Sequence, residues 1–175
     1  LLAQGARHLT PARFARYVVG ALPVVRRLPW EYEAPFSPID VVEEYTRPAR
    51  FISGGRPMER PALSDPELFH FDELGTLEGF LTDGLRSMLD TIDCPHLEEK
   101  TLRYPGHADR IRVLRDSGFF DEREIAVNGQ SVNVRDFTFA LLDPAWFQKV
   151  DSREFTVMRV EAHGESGESR VWDLL

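Results

Sequence analysis

Apolar side chains recur at every second residue over much of this chain, and stretches of helical spacing interrupt the alternation. Phe14, Arg16, Val18 and Val19 predict a strand closed by Gly20 and Pro23. Ala49 to Ser53, a Gly54-Gly55 turn and Met58 to Leu63 predict a hairpin, with Arg60 and Pro61 marking an edge strand or a strand end. Glu124 to Val127, Asn128-Gly129 and Ser131 to Val134 repeat that signal. Gly75 to Leu81 reads as a strand, as do Glu154 to His163 and Arg170 to Leu175, the last two joined by a polar GESGES turn. Pro29 to Pro35 is expected to be extended, because residues before proline avoid the helical region.

Leu1 to Thr10 has helical character without a full apolar face. Ser37-Pro38-Ile39-Asp40 is a helix start, with a capping serine, a proline in the first turn and an acid placed for a reciprocal cap; Pro48 stops that helix. Ser64 to Glu67 offers one helical turn before Phe69 and Phe71. Leu85, Met88, Leu89 and Ile92 share a helical face that Asp83 is placed to cap. A strand carrying Thr101, Arg103 and Tyr104 runs into a Pro105-Gly106-His107 turn, then a helix with Ala108, Ile111 and Leu114 on one face and Gly118 at its C′ position. Asp136 to Leu142 predicts a last helix, ended by Asp143-Pro144.

These elements predict a single α+β domain over residues 1–175: a mixed, largely antiparallel sheet with helices on one face. The other face is then left for water, a second domain or another subunit, and homodimerisation is expected.

Composition narrows the function classes. A net charge of -8 argues against non-specific nucleic-acid binding, and no apolar run is long enough to cross a bilayer. The single Cys94 excludes an intrachain disulfide framework and suits a reducing cytoplasm. Five scattered histidines offer no metal spacing, and Ser, His and Asp stand outside any G-x-S-x-G elbow. No G-x-G-x-x-G appears, and the chain opens without Met, so it is expected to be part of a longer protein. Glu98-Glu99 is either a paired-carboxylate site or, by default, a solvated strand end.

Two strand–turn–helix units, at Thr82-Asp83-Gly84 and at Arg103 to His107, are expected side by side at one end of the sheet. That arrangement gathers Thr82, Asp83, Arg86, Arg103, Tyr104 and His107 around one pocket. Arg103 offers a two-pronged grip on a carboxylate, and Lys100 or His107 offers proton transfer. Each also has a structural reading: a tight turn, a packed Tyr104, and Arg103 paired to Asp83 or Glu98.

GTLEGFLTDGLRSMLDTI followed by EEKTLRYPGHADRIRVLRDSGFF resembles the C-terminal domain of saccharopine dehydrogenase-like proteins, most of all a lysine 6-dehydrogenase-like branch. GALPVVRRLPWEYEAPFSPIDVVEEYTRPARFISGG and EFTVMRVE resemble its flanking segments, although Gly20-Ala21 stands where the family more often has two glycines. The resemblance implies a substrate-binding and dimerisation domain covalently linked to a Rossmann domain that is absent from this chain. It implies hydride transfer between NAD or NADP, held by that other domain, and a C–N centre of an amino acid such as lysine or saccharopine. It carries Thr82, Asp83, Arg103 and Tyr104 over as substrate-binding residues, and Lys100 and His107 as catalytic ones. The chain alone is expected to be inactive. The alternative is a non-catalytic module that kept the fold for self-association or small-molecule binding.

Overall fold

The computed structural model describes residues 11–34, 37–147 and 152–175. The strands are β1 (Ala12–Pro23), β2 (Ala49–Ser53), β3 (Arg56–Arg60), β4 (Glu67–Phe71), β5 (Gly75–Leu81), β6 (His96–Arg103), β7 (Glu124–Val127), β8 (Gln130–Asn133), β9 (Glu154–Gly164) and β10 (Ser169–Leu174). Four helices accompany them among the described residues: α1 (Pro38–Thr46), α2 (Met88–Thr91), α3 (His107–Asp116) and α4 (Val134–Trp146). None of these is long and apolar enough to cross a membrane.

Eight strands form one sheet in the order β10-β9-β1-β6-β2-β3, with β5 also pairing β6 and β4 pairing β5. Among the described strand pairs of this sheet, only the central β1–β6 pair is parallel. The α+β architecture with a mostly antiparallel sheet is therefore as the pattern predicts. β7 and β8 form a separate hairpin at Asn128-Gly129, both residues at positive φ.

Strand alternation divides the two faces. Tyr17, Val19 and Ala21 of β1 share a face with Glu99, Thr101 and Arg103 of β6, and α1 and α2 sit over that face. There Val41 and Tyr45 of α1 pack with Phe80, Ala108 and Ile111, while Leu85, Leu97 and Val160 form a neighbouring cluster. The opposite face is not bare. β4 curls over it, and Phe69 and Phe71 bury themselves against Val18, Leu22, Leu102 and Val157.

Several expectations are corrected. Ser64 to Glu67 starts no helical turn; Glu67, Phe69 and Phe71 alternate with outward Leu68 and His70 as the strand β4. Residues 28–30 form a turn where an extended segment was expected. α2 is a single turn, and Asp83 does not cap it, because the Arg50 guanidinium holds both its oxygens and Arg86 at φ 50 breaks the helical start. α4 runs through Pro144, since Trp146 is buried edge-on against Trp30 and Tyr32, and that packing outweighs the one backbone bond proline removes. Leu1 to Thr10 lies outside the described residues.

The caps expected at Ser37 and Gly118 are present. Ser37 Oγ accepts from the Asp40 N–H and donates to its carboxylate. Gly118, at φ 82, closes α3 with Phe119 N–H on Leu114 O and Gly118 N–H on Arg115 O.

Candidate functional site

An open pocket of about 470 Å³ lies on the helix-bearing face of the sheet. Its floor is the central parallel pair, through Tyr17, Val19, Glu99, Thr101 and Arg103. One wall is α1, through Asp40, Glu44 and Arg47, and the other is the Thr82-Asp83-Gly84 turn with Arg86. The parallel pairing causes this placement: both β1 and β6 end at the same edge, and the turn after β5 returns beside them.

Close approach at two glycines fixes the floor. A Cβ on Gly20 would sit 2.2 Å from Leu102 O, and one on Gly84 would sit 2.6 Å from a Glu99 carboxylate oxygen. Glycine is therefore required for space at Gly20, whereas a side chain at Gly84 would displace the Glu99 carboxylate.

Of the seven residues expected at the site, Thr82, Asp83, Arg86 and Arg103 line the pocket. Thr82 is buried; its hydroxyl donates to Glu99 at 2.7 Å and lies 2.8 Å from the Thr101 hydroxyl. Asp83 is held by Arg50 at 2.8 and 2.9 Å; burial raises its carboxyl pKa, but the Arg50 hydrogen bonds outweigh that and hold it below the usual value. Arg103 spends its guanidinium inside the protein, on Glu44 (3.0 Å), Leu102 O (2.9 Å) and the Tyr45 hydroxyl (3.3 Å), with its charge 5.0 Å over the Tyr32 ring. The Arg103 pairing to Asp83 or Glu98 weighed from the sequence does not form; Glu44 is the partner.

The other three lie elsewhere. Lys100 alternates to the opposite face, where its ammonium donates to Asp65 O (2.8 Å) and Glu67 (2.9 Å). Tyr104 packs in the cluster with Leu22 and Phe69, donates to Pro23 O at 3.1 Å and lies beneath Arg26. His107 sits 1% exposed behind Tyr45, its Nε2 3.0 Å from that hydroxyl. Burial, with the Arg103 charge added, holds its imidazole well below its usual pKa and thus neutral.

Two pocket groups stand out by their surroundings. Glu99 is 2% exposed and meets no cation within salt-bridge distance among the described residues, so burial pushes its carboxyl up to about 8; the Thr82 hydroxyl opposes this and the Glu44 charge adds to it. Arg86 lines the same pocket and makes no ion pair or side-chain hydrogen bond among the described residues. Its left-handed backbone is uncommon for a non-glycine residue, and such backbones cluster at ligand sites. No group of three metal-ligating side chains occurs among the described residues.

Sequence reasoning set Glu99 aside beside Glu98 as a solvated strand end. Counting back by two from Arg103 reaches Thr101 and Glu99 and skips Lys100, so the signal was present in the strand itself.

Comparison with known proteins bears on the whole chain. A family model described as the saccharopine dehydrogenase C-terminal domain matches residues 5–174. Among solved structures, the apo, histidine-tagged saccharopine dehydrogenase (L-Glu forming) from Saccharomyces cerevisiae superposes with a TM-score of 0.69 over 91% of this chain at 13% identity. At that identity the likeness is one of fold. The chain spans about half of that structure, 51% of its length.

Proposed function

We propose a function on one premise: the chain belongs to the saccharopine dehydrogenase C-terminal domain family. On that premise it is the substrate-binding domain of an NAD- or NADP-dependent oxidoreductase acting on a C–N bond of an amino acid, with lysine and saccharopine the first candidates and the lysine 6-dehydrogenase branch the finer assignment. The observation that carries this reading is the exposed Arg86 guanidinium, which feels the Asp83 charge but makes no direct ion pair among the described residues, at a pocket that also holds the buried Glu99 carboxyl. An unpaired cation in a pocket suits a carboxylate, and charge-assisted hydrogen bonds to it are the strong kind. Thr82 and Arg103 shape the floor, Glu44 keeps Arg103 in place, and Asp83 fixes the turn that presents Arg86.

On this reading the nicotinamide nucleotide, which supplies hydride exchange, is held by a linked Rossmann domain, in keeping with the C-terminal domain family and with the chain's spanning about half of the matched structure. His107, neutral and walled off by Tyr45, serves the pocket by holding the hydroxyl that Arg103 also contacts. The test follows nicotinamide absorbance in the intact protein with lysine, saccharopine and related diamino acids. Turnover with one of them supports the reading. An intact protein that binds neither nucleotide nor amino acid contradicts it.

A second reading, a self-association module, is favoured by the β7–β8 hairpin, which stands outside the main sheet with Ile125 and Val127 exposed near Phe137. A homodimer in sedimentation, together with no nucleotide binding, would favour it; a homodimer alone is compatible with the dehydrogenase.

A further inference from the structure

Among the described residues, the ionisable groups on the pocket walls other than Arg86 and Glu99 have a direct ion-pair or hydrogen-bond partner that accounts for them. Arg103 faces Glu44, Arg47 faces Glu43, and Asp83 faces Arg50. Asp40 at the rim accepts from the Ser37 hydroxyl. Tyr17, the ionisable group of β1 at this floor, donates to Gly84 O at 2.7 Å and stays un-ionised, since burial pushes its pKa far up. What remains is Arg86 at the mouth and Glu99 in the floor.

Glu99 is not held symmetrically. Its Oε2 accepts from the Thr82 hydroxyl at 2.7 Å and from the Gly84 N–H at 3.2 Å, whereas its Oε1 has only a long 3.4 Å contact with the Thr101 hydroxyl. One oxygen is anchored by two donors, and the other has only this weak one. The missing side chain of Gly84 is what lets the anchored oxygen reach the backbone N–H.

We propose that Glu99 is the proton-transfer residue of this pocket: as the substrate ammonium docks, the carboxyl releases its own proton to solvent, and the resulting carboxylate then accepts at Oε1 a proton from that ammonium group. The N–H bond breaks, the O–H bond forms, and the nitrogen keeps the electron pair it needs as an amine. The proposal rests on the amino-acid reading above. It gives the proton-transfer role to the residue that sequence alternation places beside Thr101, in place of Lys100 and His107. A carboxyl that is neutral at pH 7 must shed its own proton when an ammonium docks beside it, so substrate binding itself carries a proton signature.

Isothermal titration of the intact protein with lysine and saccharopine, at pH 7 in buffers of different ionisation enthalpy, reads that signature. Wild type is expected to release about one proton per site on binding, falling towards none near pH 9, where Glu99 is already ionised. Glu99→Gln is expected to bind without release. The wild-type comparison of the two pH values needs no variant, so a misfolded Glu99→Gln does not remove the test. Binding without release in wild type, or equal release in Glu99→Gln, overturns the proposal alone. Wild type that binds neither amino acid overturns the functional reading and the proposal with it.

Discussion

Replacing Glu99 by Gln should change how stability depends on pH, and the structure fixes both sign and size. In the folded protein the carboxyl is pushed from 4.5 up to about 8, burial being the main cause. The folded state therefore holds this proton more tightly than the unfolded chain. The stabilisation is fully present below pH 4.5 and is lost as pH rises through 8. Each unit of pKa difference corresponds to about 1.4 kcal/mol, so the whole effect is roughly 3–5 kcal/mol. Gln keeps the shape and the acceptor for Thr82 and Gly84 but has no proton to lose, so its curve lacks this decline. Urea unfolding of both proteins at matched pH values isolates the effect, because every other titrating group cancels in the difference. Relative to Glu99→Gln, wild type should lose most of that roughly 3–5 kcal/mol between pH 5 and pH 9. Curves that stay parallel within about 0.5 kcal/mol would refute the buried neutral acid.

Gly20→Ala should be more damaging than its size suggests, because the added carbon meets the Leu102 carbonyl at the central strand pair and neither backbone can swing away. A cost of at least about 3 kcal/mol is expected, lowering Tm by roughly 6–12 °C by circular dichroism; a shift under about 2 °C contradicts it. Lys100→Met should cost roughly 1–3 kcal/mol in urea, leaving Asp65 O and Glu67 without their ammonium, while amino-acid affinity stays unchanged. Weakened affinity at retained fold would put Lys100 back at the site. His107 should stay neutral in imidazole nitrogen NMR as pH drops below 6.5, and stability should fall over the same range, where the unfolded chain takes a proton that the folded one refuses. An imidazole titrating near 6.5 contradicts its walled-in position.

Short-range signals carried much of this fold. Two glycine-containing turns placed both hairpins, Ser37 and Gly118 placed helix ends, and the alternation in β9 and β10 was plain. The failures share a cause, which is contact between residues far apart in sequence. Asp83 looks like a cap until Arg50, 33 residues away, takes its carboxylate. Pro144 looks like a stop until Trp146 finds Trp30 and Tyr32. At the site, Thr82, Asp83 and Arg103 were legible from the turn and the strand, and Arg86 from the same turn. Lys100 and Tyr104 were misplaced because the strand was read as a motif and not as an alternation of faces. His107 was misplaced for a different reason: only the tertiary structure shows Tyr45 standing between it and the pocket.

The account turns on whether the pocket reads a carboxylate through Arg86. The most direct measurement compares the affinity of the intact protein for lysine with that for its decarboxylated diamine, in wild type and Arg86→Ala. A charge-assisted contact of about 1.5–3 kcal/mol predicts that wild type prefers the amino acid by roughly tenfold or more. Arg86→Ala should bind the two nearly alike. Equal affinities in wild type, or a preference that survives in Arg86→Ala, would contradict the account.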